Sequence, residues 1–337
     1  MMATMRLNDV LERGEFVVAP GVFEMLSARI ADRMGFRALY MTGYGISASY
    51  LGLADAGIAT YTDMVSRART IAEGIATPLI ADADTGFGGL INVRHTVRGY
   101  EAAGVQAIQI EDQEMPKKCG HTPGRRVIPV DDMVRKIEVA LDARTRQDTL
   151  IIARTDARTS LGLDEAIHRG KAYAKAGADI IFVEAPESEE EFRRVGGEID
   201  AWLLANMVPT GKSPEIAAER LQAMGFSLAI YPTAGMTAAC AALKAAYEHI
   251  RAHGTTQGAP ISSISMSELH DLVGFPEIWD LNAASSRLAE WLCLFQTKTL
   301  IAIVKMGQIL FIFCARQGLA EGVSAPNRIF SRIINLI

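Results

Sequence analysis

Between residues 16 and 232 a short apolar run alternates eight times with a longer stretch rich in Ala, Glu, Arg and Leu. That alternation is the signature of parallel strands joined by helices. The spacing predicts strands over 16–20, 37–43, 77–84, 105–112, 149–156, 178–185, 202–208 and 226–232. The intervening segments 24–35 and 164–177 carry apolar positions three and four apart, and each closes on a glycine suited to a left-handed helix end. Eight strand–helix units close naturally into a (β/α)8 TIM barrel, whereas an open doubly wound sheet usually has about five to seven strands. The expectation is an α/β chain with a catalytic barrel over residues 1–255 and a C-terminal helical extension over 256–337.

Each apolar run turns polar at its C-terminal end, giving Thr42, Asp82 with Asp84, Glu111 with Asp112, Arg154 with Asp156, Glu184 and Asn206. In a barrel these ends share one rim, where such enzymes hold their active sites. A charge at one strand end usually just begins a solvated loop. Five or six together point to a site.

Three of the ends carry recognisable chemistry. In DADTGFGG (82–89) two carboxylates precede glycines that admit a ligand close to the backbone. Hard oxygen ligands suit Mg²⁺ or Mn²⁺. Since residues two apart on a strand share a face, Asp82 and Asp84 can address one ion, with Glu111 of the next strand able to join them; the alternative is an acidic turn with no metal. In Lys117-Lys118-Cys119-Gly120-His121 a thiol lies beside two ammonium groups and an imidazole, which would lower its pKa and make it a usable acid, base or nucleophile near neutrality. Thr42-Gly43-Tyr44-Gly45 offers backbone N–H groups to an anion, with a phenol close by. Gly43, Gly45 and Ala48 also imitate a dinucleotide fingerprint, with Asp63 about 20 residues on, which keeps a nicotinamide oxidoreductase as the reading of another class. That match begins at the second unit and leaves the carboxylates without a purpose. Gly211-Lys212-Ser213 resembles the end of a phosphate loop, but Asn206 stands where its first glycine must be.

Composition removes other classes. With 34 Lys+Arg against 39 Asp+Glu the formal charge is −5, and there is no basic stretch for a nucleic-acid surface. Four cysteines without paired spacing suggest neither a disulfide framework nor a zinc site, which fits a reducing cytoplasm. The first residues lack the apolar core of a signal peptide. The apolar stretch 292–314 is interrupted by Lys298 and Lys305, so it is expected to be a packing helix and not a membrane span.

Taken together, TGYG (42–45), LGLADAGIAT (51–60), DADTGFGG (82–89), IEDQ (110–113), KKCGH (117–121), ARTDA (153–157), FVEA (182–185) and ANMV (205–208) resemble the isocitrate lyase and phosphoenolpyruvate mutase superfamily, over residues 16–285. The resemblance implies a barrel whose eighth helix swaps between subunits, a homotetramer built as a dimer of dimers, and an essential Mg²⁺. It places Asp82, Asp84 and Glu111 at the metal. It places Thr42, Gly43 and Tyr44 on the substrate carboxylate, with Asp55, Lys118, Gly120, His121, Arg154, Glu184 and Asn206 lining the rest of the pocket. Members that break carbon–carbon bonds carry Cys in the loop, where phosphonate mutases and hydrolases have Asn, so Cys119 points to a lyase.

Gln109 in place of the His usual before Ile-Glu-Asp, and Val183 in place of Pro, depart from the methylisocitrate lyases toward alkylmalate lyases and oxaloacetate hydrolases. Pro232 is the lyase residue where the oxaloacetate hydrolases carry Ser. The implied substrate is a small dicarboxylate: a 2-alkylmalate such as 2,3-dimethylmalate first, 2-methylisocitrate second. An oxaloacetate hydrolase or decarboxylase, or a phosphonopyruvate-type enzyme, is the alternative. In the implied reaction the hydroxyl proton leaves toward Tyr44 or a base at the metal. Arg154, Lys118 and His121 stabilise the enolate, and Cys119 protonates the carbanion carbon.

Overall fold

A computed structural model of the chain describes residues 5–120, 124–283 and 285–287. Eight parallel strands close into one barrel in sequence order: β1 (Val17–Val22), β2 (Leu39–Met41), β3 (Leu79–Asp82), β4 (Ala107–Glu111), β5 (Leu150–Thr155), β6 (Ile180–Val183), β7 (Trp202–Asn206) and β8 (Leu228–Tyr231), with β8 paired back to β1. The expected fold is the observed one. Most strands are shorter than the apolar runs; the run 37–43 yields only Leu39–Met41, because Thr42 leaves the ladder to cap a short helix, Gly43–Ile46, with its hydroxyl.

Strand alternation divides the core in two. Tyr40, Ile80, Ala107, Ile152, Phe182, Leu204 and Leu228 fill the barrel, above Leu7, Val10 and Leu11 of the N-terminal helix Leu7–Glu12. Residues of opposite parity, such as Leu39, Ala81, Ile108 and Ile151, pack outward on the helices. Residues two apart along a strand share a face. Two residues beyond the interior members therefore stand Thr42, Asp82, Arg154, Glu184, Asn206 and Ile230, and Glu111 follows Ala107 four residues on. Inward parity thus delivers them to the mouth. Asp112 has the other parity and meets the outer helix Leu163–Lys175, where Arg169 Nη1 and Tyr173 Oη lie 3.1 and 2.8 Å from its Oδ2.

The helix Met25–Asp32 lies within its expected segment and Leu163–Lys175 begins one residue before its own, and Gly35 and Gly177 past their ends take φ of 77° and 98°, open to glycine at no steric cost. The eighth helix, Ala234–His253, runs 20 residues yet buries only Met236; Leu243, Tyr247 and Ile250 are exposed.

The chain divides into compact units of residues 1–263 and 264–337. In the second, Ser265 caps the helix Met266–Val273, and His270, Phe275 and Trp279 stack edge to face and tilted. Among the described residues no helix is long and apolar enough to cross a membrane. The apolar stretch 292–314 lies outside the described residues.

Candidate active site

The C-terminal ends of the strands surround a cavity of about 310 Å³ lined by Tyr40, Thr42, Tyr44, Asp55, Asp82 and Cys119, and further round by Gly120, Arg154, Glu184, Asn206 and residues following β7 and β8. The rim is also where the backbone is strained. Among the described residues the non-glycine positions with positive φ are Asp84 (48°), Phe87 (58°), Ala185 (59°) and Thr210 (60°), all just past β3, β6 or β7. Such conformations persist where the surroundings over-determine them, as at ligand-binding sites.

Asp82 and Asp84 do meet, though not by strand alternation. The chain leaves the strand after Asp82 and turns through the left-handed Asp84, whose N–H donates to Asp82 Oδ1 over 3.0 Å. That same oxygen accepts from Gln109 Nε2 at 3.2 Å, so Asp82 is held from two sides. Gly43 approaches the other oxygen closely enough that a Cβ would stand 2.7 Å from Asp82 Oδ2. Burial pushes Asp84 up to about 6, against the pull of Lys117, and pushes Glu111 well above the ordinary carboxylate range in spite of Arg154 beside it.

Lys117 answers this collection of acids. Its ammonium is ion-paired with Asp84 and Asp55. Burial works to lower its pKa, but Asp84, Glu111, Asp55 and Asp82 outweigh burial and hold it well above the usual lysine value. The sequence places two ammonium groups beside the thiol; the fold separates them. Lys118 turns outward and donates to the carbonyl of Gly124 at 2.9 Å, away from the cavity that Cys119 lines. His121 lies outside the described residues.

Arg154 is clamped. Its Nε and Nη2 donate to Asp156 Oδ2 and Oδ1 at 3.0 and 2.9 Å, a bidentate pair that fixes the guanidinium plane. Arg125 also pairs with Asp156, and the Asp156 N–H donates to Asp112 Oδ1 at 2.9 Å. Burial acts to raise the Asp156 pKa, but Arg154 and Arg125 overcome it and hold the carboxyl below its usual range. On the cavity side Arg154 stands 3.4 Å from Glu111 Oε2 and 3.7 Å from Glu184 Oε2, and Asn206 Nδ2 donates to Glu184 Oε2 at 3.1 Å. The Cys119 loop seats directly on this group: a Cβ on Gly120 would lie 2.6 Å from Arg154 Nη2 and 2.7 Å from Glu184 Oε1, so only glycine lets the thiol-bearing chain come so near.

The residues suit a hard divalent cation. Asp82, Asp84 and Glu111 are nearly fully buried oxygen donors, and Glu111 Oε1 has no hydrogen-bond partner among the described residues. Among the described residues no group of three or more His, Cys, Asp or Glu side chains is placed to hold a metal ion, so an ion here would take most of its ligands from water and substrate, as Mg²⁺ can.

Of the residues expected at the site, Thr42, Tyr44, Asp55, Asp82, Cys119, Gly120, Arg154, Glu184 and Asn206 line the cavity; Gly43, Asp84 and Glu111 stand behind it. Tyr40 and Arg125 escaped the sequence reading, which has Lys117 only as a neighbour of the thiol and Asp156 only as a polar strand end. Tyr40 could have been found from parity, since it precedes Thr42 by two; its hydroxyl donates to Gln109 Oε1 at 3.0 Å.

Residues 7–251 match the family model described as phosphoenolpyruvate phosphomutase. The chain is 47% identical to the 2,3-dimethylmalate lyase of Eubacterium barkeri over 289 residues, covering 85% of this chain and 100% of that one. It is 43% identical to the 2-methylisocitrate lyase of Aeropyrum pernix over 84% of this chain and 91% of that one. The structure of an oxaloacetate acetylhydrolase with 3,3-difluorooxalacetate superposes with a TM-score of 0.79 at 37% identity, over 84% of this chain and 97% of that one.

Proposed function

Because the chain belongs to the phosphoenolpyruvate mutase and isocitrate lyase superfamily, we propose that it is a carbon–carbon lyase. It splits C2 from C3 of a 2-hydroxy dicarboxylic acid, a 2-alkylmalate such as 2,3-dimethylmalate or else 2-methylisocitrate, into a 2-oxo acid, pyruvate for these two, and a carboxylate. One observation carries the reading. Gly120 brings the Cys119 thiol into the same cavity as the clamped guanidinium of Arg154, so a proton donor and an anion-stabilising group face one bound acid.

Asp82 and Asp84 would hold Mg²⁺, or Mn²⁺, with Glu111 in support. When bound, the ion polarises the carboxylate and hydroxyl of the substrate as a Lewis acid. Thr42, Gly43 and Tyr44 bind the substrate carboxylate, and Asp55, Glu184 and Asn206 fix its orientation. The C2 hydroxyl proton leaves toward Tyr44 or a base beside the metal carboxylates. The C2–O bond becomes a carbonyl while the C2–C3 electron pair passes to C3 as the enolate of the leaving carboxylate. Arg154 stabilises that charge from a preorganised position, with His121 sharing the task. Cys119 then delivers its proton to C3, and the thiolate is reprotonated from solvent.

The enzyme is proposed to work in the cytoplasm as a homotetramer, a dimer of dimers. The exposed apolar residues of Ala234–His253 support exchange of that helix between subunits. The deciding assay measures metal-dependent 2-oxo acid release from malates, 2-methylisocitrate, oxaloacetate and phosphonopyruvate. Cleavage of a 2-alkylmalate or 2-methylisocitrate is expected, and Cys119→Ser should lower its rate about 10²- to 10⁴-fold. Parental activity in Cys119→Ser would overturn the acid assignment; turnover of only oxaloacetate or phosphonopyruvate would overturn the lyase.

A further inference from the structure

We infer that the part of the cavity built from β8 and the segments after β7 and β8 is an alkyl-reading surface, and that Val208, Ile230 and Met236 decide which 2-hydroxy acid the enzyme accepts. The inference rests on the lyase reading above and narrows it.

Charge is distributed unevenly round the mouth. From β2 to β6 the lining carries Asp55, Asp82, Arg154 and Glu184; on β8 and after β7 and β8 it carries Val208, Pro209, Ile230, Pro232 and Met236, threonine hydroxyls, and no charged side chain. Arg154 is the only cation among the described lining residues. A dicarboxylate can be satisfied there: one carboxylate beside the metal carboxylates and the other on Arg154. A third carboxylate, as in 2-methylisocitrate, would be turned toward the apolar wall, where a buried unpaired charge is heavily penalised. A methyl or ethyl group in the same place would instead be drawn from water.

The wall is formed in advance. Ile230 is 1% and Met236 8% exposed without any ligand, and Ile230 and Val208 are β-branched side chains with restricted rotamers. The loop that carries Val208 is held in a strained form, with the β-branched Thr210 at φ 60°. A rigid surface discriminates shape better than a yielding one, because little ordering cost remains at binding. Met236 is the adaptable member of the three, able to follow an alkyl group of variable length.

The test uses the full-length enzyme with Mg²⁺ and compares kcat/KM for malate, 2-methylmalate, 2,3-dimethylmalate, 2-ethyl-3-methylmalate and 2-methylisocitrate. Each alkyl carbon that fits the wall should raise kcat/KM by roughly 10- to 200-fold. The best alkylmalate should exceed 2-methylisocitrate by at least about 10²-fold. Met236→Ala should shift preference toward the ethyl compound, and Val208→Lys should shift it toward 2-methylisocitrate. Each comparison is a ratio of two substrates on one preparation, so a partly unfolded variant still reports. Wild-type preference for 2-methylisocitrate, or variants that leave both ratios unchanged, would refute the alkyl-reading surface while leaving the lyase intact. Cleavage of none of these acids would instead remove the lyase reading itself.

Discussion

Lys117 Nζ lies 2.7 Å from Oδ1 of Asp84, with side chains only 3% and 5% exposed. Asp55 shares the same ammonium, so one lysine ties together the loops following β2, β3 and β4. Replacing it by an apolar residue leaves two buried carboxylates facing each other. Lys117→Met should therefore cost about 3–5 kcal/mol of stability, the usual result of removing one partner of a buried pair. Urea unfolding without metal measures it. A cost near zero would mean that the ammonium does not compensate these acids in solution.

The raised pKa of Asp84, about 6 against an ordinary 3.8, has a definite sign. Between those values the folded protein binds a proton that the unfolded chain has released, so metal-free stability should fall as pH rises from about 4 to about 6. Cation binding needs the ionised form. Apparent Mg²⁺ affinity should therefore weaken by roughly tenfold per pH unit below that value. Calorimetric titration with Mg²⁺ at several pH values gives the slope; an affinity flat across this range would remove Asp84 from the cation site.

Asp156 shows the opposite sign. Its depressed carboxyl contributes stability that is present above the ordinary aspartate range and is lost as pH falls through the folded value. Asp156→Asn should flatten the acid limb of the stability curve. It should also loosen Arg154, and misplacement of a positioned group by about 1 Å can cost around 10²-fold in rate. The pH dependence of urea midpoints, together with kcat and KM determined separately, distinguishes these effects. An unchanged acid limb would show that the clamp contributes nothing.

Gly43→Ala places a methyl group where Asp82 Oδ2 now lies within 2.7 Å of the added carbon. The carboxylate must move, and Mg²⁺ affinity should drop by at least about tenfold, on the scale of losses seen when groups supporting a metal ligand are altered. A dye competition assay for Mg²⁺ reads this directly. Wild-type affinity would mean that Asp82 can hold the ion from a displaced position.

Much of this architecture was legible in the amino-acid order because strands and helices have fixed periods. The eight alternations determined the closed parallel barrel, and the polar ends of the runs marked the rim that carries Thr42, Asp82, Glu111, Arg154, Glu184 and Asn206. Where the chain leaves those periods, order alone could not assign direction. Lys117 and Lys118 are adjacent and chemically alike, yet one is buried among carboxylates and the other donates to Gly124, because a loop has no repeat that fixes where successive side chains point. Asp84 reaches Asp82 through a left-handed turn, and Asp156 is gripped by Arg125 from a loop 31 residues away. Those pairings depend on which loops the closed barrel brings side by side, and on burial making each unpaired charge too costly to leave alone.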